Sequence, residues 1–349
     1  MKYDYCLIDP ATKANKNVPN IGLAYISSAL NKLQQSHIII DQDLMPYPKD
    51  RFLKIDAEIY GISVKLNTLE ETKRITRLIL EKNPNANILL GGPHITEKNK
   101  TSLQKEFPIN VRFVVGYFDL ELLQTKDLNE TGFPNYEQFD SKYYIYDNFR
   151  TGYFMYPIIT SRGCPFRCSY CLSNKKFMYR SAENCIDEIK QAKEKYAIKA
   201  VQILDDNFIM LKDRALDFCK QIKELNLNWI CPNGVRADQF TDEVAIAMRD
   251  AGCTQLSFGV ESIHEDVLKE INKGETFAQI EKAIIIAKKY FNNVNGFFII
   301  GLPKSTFLKD LESYEWSVKM GIQGTFGILV LFPGQKFTKS IINLSMKRP

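Results

Sequence analysis

Histidine is scarce in this chain: His37, His94 and His264 are the only three among 349 residues. Long apolar runs are missing as well. The longest, 296–302 and 326–332, fall far short of the roughly 20 residues a membrane-spanning helix needs. The N-terminus, Met1-Lys2-Tyr3-Asp4-Tyr5-Cys6, carries an acid where a signal peptide requires an apolar stretch. These absences lead us to expect a soluble cytoplasmic protein with no membrane partner. No block of like charge stands out either. Lys and Arg total 46, Asp and Glu 41, and the net charge of +5 is spread thinly. Such a distribution neither requires nor excludes a nucleic-acid partner, and we expect none. Internal repeats and low-complexity segments are absent.

What is present suits a globular chain, with 45% apolar and 25% charged residues. Its length allows two domains of ordinary size. Eight cysteines occur, and without an export signal they are not expected to form a disulfide framework. Five of them, Cys6, Cys185, Cys219, Cys231 and Cys253, stand singly among apolar residues and read as buried structural thiols. The other three are clustered.

The first third alternates strand and helix patterns. Short apolar runs at 5–8, 38–41, 59–64, 88–90 and 111–115 read as strands, with helical patterns at 21–33 and 69–82. Such alternation predicts a parallel sheet covered on both faces. A flavodoxin-like, doubly wound domain over 1–116 follows, and such folds bind ligands at the carboxyl ends of their strands. Residues 117–156 break the rhythm. Nine aromatic residues fall between Tyr136 and Tyr156, which reads as a linker packed against its neighbours.

The rhythm resumes over 157–349. Strands are predicted at 157–161, 200–204, 229–233, 255–259, 296–300 and 325–331, with helices at 182–196, 212–225, 242–251, 277–290 and 305–320. Six β/α steps fall short of the eight of a full barrel, so an open (β/α)6 partial TIM barrel is expected. The chain stops soon after the sixth strand, and no C-terminal domain is evident in it.

Thr160-Ser161-Arg162-Gly163-Cys164-Pro165-Phe166-Arg167-Cys168-Ser169-Tyr170-Cys171 carries the pattern Cys-x3-Cys-x2-Cys. At this cysteine frequency the pattern arises by chance about 0.004 times in a chain of this length, so it calls for a chemical reason. Thiolates bind soft metals, and tight spacing lets one loop wrap one site. Structural zinc wants four protein ligands, and no fourth Cys or His lies near in sequence. A four-iron cluster also takes four cysteines as a rule, so three would leave one iron open to chelate a ligand through an amine and a carboxylate.

The triplet follows the first barrel strand, where catalytic groups converge. Other groups follow the later strands. Asp205 and Asp206 come after the second, and Asn233, Arg236 and Asp238 after the third. Glu261 and Ser262 follow the fourth, Gly301-Leu302-Pro303 the fifth, and Pro333-Gly334 the sixth. Each alone reads as a solvated loop residue; together they line one rim.

With an aromatic residue, Tyr170, before its last cysteine, this motif resembles the signature of radical S-adenosylmethionine (SAM) enzymes. The resemblance runs over 157–334, where 203–208, 233–238, 257–262 and 296–303 look like that superfamily's later strand motifs. It implies that Cys164, Cys168 and Cys171 bind a [4Fe-4S] cluster, and that SAM chelates the open iron. One-electron cleavage would then yield methionine and a 5′-deoxyadenosyl radical. A small electron carrier such as flavodoxin or ferredoxin is the implied reductant. By position, Asp206 would hold the SAM amino group and Arg236 its carboxylate. Glu261 would bind the ribose or the amino-acid moiety, Gly301 would approach the adenine, and Tyr170 would line the SAM site.

Three segments of the first domain, Val18-Pro19-Asn20-Ile21-Gly22-Leu23-Ala24-Tyr25, Gly61-Ile62-Ser63 and Gly91-Gly92-Pro93-His94, resemble the cobalamin-binding domain that precedes some radical SAM barrels. The resemblance implies a corrin approached by Thr12, Ser63, Gly91, Gly92, His94 and Gly116. The Asp-x-His-x-x-Gly cobalt-ligand motif is absent. Where the family carries Gly-Glu-Gly-Glu, this chain reads Gly116-Tyr117-Phe118-Asp119. His94 has a plainer reading as a residue packed behind the Gly-Gly turn, and Asp9 and Thr12 as caps of the next turn.

Three functions stay open at this point. One is cobalamin-dependent methylation of an unactivated carbon of a small metabolite or peptide. Another is a radical SAM rearrangement, ring contraction or dehydrogenation without methyl transfer. The last is a truncated or non-catalytic relative.

Overall fold

The computed structural model describes residues 2–12, 19–43, 48–139 and 155–331. Expectations that fall on Val18, on 140–154 of the aromatic stretch and on Pro333-Gly334 lie outside these residues. Two compact units divide the chain, Met1–Tyr153 and Phe154–Pro349. Among the described residues, no helix is long and apolar enough to cross a membrane.

The first unit begins with β1 (Lys2–Asp9), α1 (Ile21–Lys32), β2 (His37–Asp41) and β3 (Asp56–Ser63). It continues with α2 (Leu69–Lys82), β4 (Asn87–Gly91), α3 (Lys100–Gln104), β5 (Arg112–Phe113) and α4 (Phe118–Leu122). Its strands pair in parallel in the order β2-β1-β3-β4-β5, the flavodoxin-like order. Cys6, Ile8, Ile40, Ile62, Ile88 and Leu90 are buried in one core, as strands covered on both faces must be. Along α2, Ile75 and Ile79 face that core, while Glu70 and Glu71 complement the helix dipole at its N-terminal end.

β5 is shorter than the pattern at 111–115 suggests. Val114 N still donates to Leu90 O at 2.8 Å, and the chain then turns at Gly116 with φ of +98°. Residues 117–139 pack on this unit. Asn135 N donates to Ala24 O at 3.0 Å, and Gln138 Oε1 accepts from Ile39 N at 2.8 Å, which satisfies a donor on the edge strand β2.

The second unit opens with β6 (Met155–Ile158), β7 (Ser161–Arg162), β8 (Met178–Tyr179), α5 (Ala182–Tyr196) and β9 (Ala200–Ile203). Next come α6 (Lys212–Lys223), β10 (Asn228–Val235), α7 (Asp242–Asp250), β11 (Cys253–Glu261) and α8 (Glu265–Glu270). The unit closes with α9 (Phe277–Tyr290), β12 (Asn293–Ile300), α10 (Phe307–Lys319) and β13 (Gln323–Ile328). Six strands pair in parallel in the order β6-β9-β10-β11-β12-β13, each beside its successor in the chain apart from the small hairpin. This is the partial barrel, and its parallel strands bring their carboxyl ends to one edge.

Local signals start the helices. Side chains of Ser181, Thr241 and Thr306 cap α5, α7 and α10, and Thr276 with Gln279 forms a capping box on α9. Inside, Trp229 is fully buried edge-on to Phe208 and Phe218, with centroids 5.6 and 5.8 Å away.

Candidate functional site

The cysteine loop is held at both ends. Ser161 lies opposite Tyr179 and Arg162 opposite Met178, so the β7–β8 pair clasps residues 163–177. Beneath the clasp lies a buried polar layer. Asp205 accepts from Thr160 N at 2.6 Å, Thr160 Oγ1 at 2.5 Å and Ser161 Oγ at 2.7 Å. Arg214 Nη2 donates to Thr160 Oγ1 at 3.0 Å, and Arg180 donates to Ile159 O at 3.2 Å while pairing with buried Glu188. Burial pushes the Asp205 and Glu188 carboxyls up, against the pull of Arg214 and Arg180 respectively. Gly163 opens the loop at φ of +81°, and a Cβ there would meet Lys176 O at 2.3 Å.

The three clustered cysteines are half-buried, whereas the five single ones are buried, and none forms a disulfide. Burial pushes the thiols of Cys6, Cys185 and Cys219 up to about 12. Within the loop, Cys164 N donates to Asn174 O at 2.8 Å, Cys171 N to Cys168 O at 3.1 Å, and Ser173 N to Cys171 Sγ at 3.3 Å. Among the described residues, no three His, Cys, Asp or Glu side chains converge on a site for one metal ion. A polynuclear cluster asks for something else, one thiolate per iron on separate corners. Three thiols on one clasped loop, one of them accepting a backbone N–H, suit that donor set.

A second loop, running from Ile271 to Glu275 between α8 and α9, braces the first. Ser169 N donates to Ile271 O at 2.8 Å, and Asn272 Nδ2 to Arg167 O at 3.0 Å. Cys168 Sγ lies 3.9 Å from Lys273 O. The Lys273 ammonium is 6% exposed and sits between Glu261 Oε1 at 3.2 Å and Glu275 Oε2 at 3.4 Å. Burial opposes its charge, yet Glu261 and Glu275 outweigh that and hold its pKa above the ordinary lysine value. Gly259 makes room for this pair: a Cβ there would meet Glu261 Oε1 at 2.7 Å and Lys273 Nζ at 2.9 Å.

Glu261 ends β11 at φ of +64°, in the left-handed region that side chains rarely adopt. Its Oε1 also accepts from the Tyr170 hydroxyl at 2.7 Å. Burial first, then the Glu261 charge, drives the Tyr170 phenol well above its ordinary pKa. Arg236 stacks on Phe166 of the cysteine loop, 3.5 Å from the ring centroid. Its guanidinium donates to Asp238 at 3.1 and 2.9 Å, to Lys273 O at 3.0 Å and to Gly274 O at 3.2 Å. Four of five N–H groups are thereby engaged, leaving one on Nη1.

Asp206 is exposed and accepts from Ser173 Oγ at 2.7 Å. Gly301, at φ of +82°, has open space where a Cβ would be, and its N–H donates to Asp310 at 3.2 Å. Cys168, Tyr170, Arg236 and Glu261 thus meet in one contact network, while Asp206 touches the cysteine loop at Ser173. Gly301 follows β12 on the same strand-end edge without a direct contact to them. Sequence reasoning missed Lys273, Glu275 and Gly259. The first two follow a helix, where charged residues read as solvated, and only their run with Gly274 just before the capping residue Thr276 marks the loop.

In the first unit, Ser63 and Gly91 are paired at adjacent strand ends. Ser63 Oγ accepts from Asn20 Nδ2 at 3.0 Å. Gly92, at φ of +107°, is pressed against Val64, where a Cβ would meet backbone at 2.8 Å. Backbone is open at Gly116, with nothing within 4 Å of its Cβ position. Thr12 belongs to the β1–β2 end, where Asp43 accepts from its N–H at 2.9 Å and its hydroxyl at 3.0 Å. Asp9 is fully buried and pairs with Lys65 at 2.9 Å. His94 is 4% exposed, and burial lowers its pKa.

Residues 158–316 match the radical SAM superfamily. Over 95% of this chain and 81% of its own length, an uncharacterized methyltransferase of Pyrococcus horikoshii, PH0819, is 28% identical. Cytidylyl-2-hydroxyethylphosphonate methyltransferase of Streptomyces wedmorensis is 32% identical over 42% of this chain, which spans only 28% of that enzyme. Among solved structures, the radical SAM methyltransferase TsrM of Kitasatospora setae, with cobalamin and a [4Fe-4S] cluster bound, superposes with a TM-score of 0.77 over 99% of this chain and 78% of its own. At 15% identity that likeness speaks for the fold. Residues 158–316, within the second unit, are thus similar to the radical SAM superfamily, on a fold shared with TsrM.

Proposed function

We propose that this enzyme cleaves SAM reductively at a cluster held by Cys164, Cys168 and Cys171, and uses the chemistry in cobalamin-dependent methylation of an unactivated carbon of a small metabolite or peptide. The observation that carries the reading is the Tyr170–Glu261 bond, which ties the cysteine loop to the end of the fourth barrel strand. A [4Fe-4S] cluster held by Cys164, Cys168 and Cys171 would supply the electron for reductive cleavage of SAM, drawn from a carrier such as flavodoxin or ferredoxin.

The chain's own groups bind and orient. Glu261 Oε1 is taken by Tyr170 and Lys273, so Oε2 is the oxygen that accepts from a ribose hydroxyl or the ammonium. Asp206 Oδ2 is taken by Ser173, which leaves Oδ1 for the SAM amino group. Arg236 offers its charge to the SAM carboxylate. The bare backbone at Gly301 lets an adenine ring approach closely. Tyr170, half-buried beside Glu261, lines the same wall and helps exclude water.

Support for the corrin half is of a different kind. The first unit has a doubly wound sheet with open backbone at Gly116 and only ordinary contacts, beginning at 3.8 Å, around a Cβ at Gly91. The names of the relatives add methyl transfer. Ser63, Gly91 and Gly116 are the residues we assign to the corrin, with Thr12 at its tail; His94 takes no part as a cobalt ligand.

Anaerobic reconstitution of the wild type and of Cys168→Ala tests the reading. The wild type should show iron–sulfur and corrin bands and, with dithionite and SAM, release 5′-deoxyadenosine and S-adenosylhomocysteine. Reductive SAM cleavage that survives Cys168→Ala overturns the cluster assignment. A protein with no affinity for cobalamin overturns the corrin half, and deoxyadenosine without S-adenosylhomocysteine selects the non-methylating alternative.

A further inference from the structure

The surroundings of the three cysteines are electrically lopsided. On the Cys168 side stand two buried cations, Lys273 and Arg236, 6% and 7% exposed at their side chains. The cation acting on Cys164 is Lys175, which is exposed and screened by solvent. Lys273 belongs to the loop that braces the cysteines. Its main chain lies against the Cys168 sulfur at 3.9 Å, and its ammonium shares Glu261 Oε1 with Tyr170, two residues along the loop.

Glu275 opposes both cations from below. Its Oε1 accepts from Ala237 N at 2.6 Å and Asp238 N at 3.1 Å, which fixes the carboxylate to the backbone after β10. Its Oε2 is buried without a hydrogen-bond partner among the described residues, 3.4 Å from Lys273 Nζ and 3.6 Å from Arg236 Nη1. A carboxylate oxygen held between two cations, just beyond bonding distance of either, acts through its charge.

We propose that Lys273 and Glu275 set the reduction potential of the cluster from its Cys168 side, Lys273 raising it with a fixed positive charge and Glu275 lowering it with an opposing negative one. The inference rests on the reading that the three cysteines hold a cluster. One electron from the reductant takes [4Fe-4S]2+ to [4Fe-4S]+ and adds one negative charge. A buried cation stabilises the reduced form and a buried anion destabilises it, and burial keeps solvent from screening either. Both residues are positioning groups in this account, since neither is placed on substrate or iron.

The full chain, reconstituted anaerobically without SAM, gives the test. Iron and sulfide per chain report cluster content, and an EPR-monitored redox titration reports the midpoint potential. Lys273→Met should lower the potential and Glu275→Gln should raise it, while the double variant, neutral in sum, returns towards wild type. Lys273→Arg keeps the charge and should keep the potential. Damage to the structure alone has no reason to move two single variants in opposite directions and cancel in the double. Shifts of the same sign, or none, in variants with full cluster content overturn the inference and leave the proposed function standing. Where Lys273→Met takes up no cluster, Glu275→Gln decides, and an unchanged or lowered potential overturns the inference. A wild-type chain that binds no cluster overturns the underlying reading instead.

Discussion

The Tyr170 hydroxyl donates a 2.7 Å hydrogen bond to Glu261, across 91 positions of sequence. The bond joins the residue before the last clustered cysteine to a strand end held at φ of +64°. Tyr170→Phe removes one of the two donors to Glu261 Oε1 and leaves Lys273 alone there. A hydrogen bond to a charged group contributes about 1.5–3 kcal/mol, so urea unfolding of the apo chain should show a loss of that order. An unchanged unfolding midpoint would contradict it.

Two neighbouring aspartates should behave differently. Asp205→Ala strips Thr160 and Ser161 of their acceptor and leaves Arg214 buried beside a gap. Breaking such a buried pair costs about 3–5 kcal/mol. Asp206→Ala loses one exposed bond to Ser173 and should stay within about 0.5 kcal/mol of wild type. Chemical denaturation of the two variants side by side checks the contrast; equal losses would refute it.

Two glycines share a left-handed backbone but not their surroundings. An alanine at Gly163 would drive its Cβ to 2.3 Å from Lys176 O and 2.7 Å from Asn174 O, so the clasped loop must open. Gly163→Ala should therefore lose most of the iron taken up on reconstitution. Gly301→Ala meets no atom within 4 Å and bears only the left-handed strain, about 1–2 kcal/mol. It should keep its iron, measured per chain by a colorimetric assay. Full iron in Gly163→Ala would count against the clasp.

His94 predicts a pH dependence. Burial holds its pKa below the ordinary 6.5, so the unfolded chain takes up the proton first as pH falls. Between the two values the unfolded state binds more protons, and stability drops with falling pH. The His94 contribution is complete above 6.5 and is lost as pH descends through the folded value. His94→Asn should flatten that part of the urea-midpoint profile, and parallel profiles for variant and wild type would exclude the assignment.

Much of this was legible in the chain. The parallel sheets follow from alternating apolar runs, and α2 spans Leu69–Lys82 as its periodicity predicts. Helices expected from 182, 242 and 277 start at those residues, and the hydroxyls of Ser181, Thr241 and Thr276, unread in the sequence, cap them. The cysteine triplet declared itself by spacing. Less visible was the β7–β8 clasp, since two residues per strand carry no period. The shortness of β5 was hidden because Val114 and Val115 look like strand residues but follow the last ladder pair, at Phe113.

Sequence alone determined what depends on near neighbours: the Cys164-x3-Cys168-x2-Cys171 spacing, the order of strands and helices, and the resemblance to radical SAM enzymes that they carry. Tertiary structure decided which charges matter. Lys273 lies 105 positions from Cys168, yet it meets that sulfur through its carbonyl and lies buried with Glu261 and Glu275. The worth of a charge depends on the dielectric around it and on its partners, and both are properties of chain segments far apart in sequence. A lysine and a glutamate that read as a solvated loop became, on folding, the electrostatic surroundings of the cysteine site.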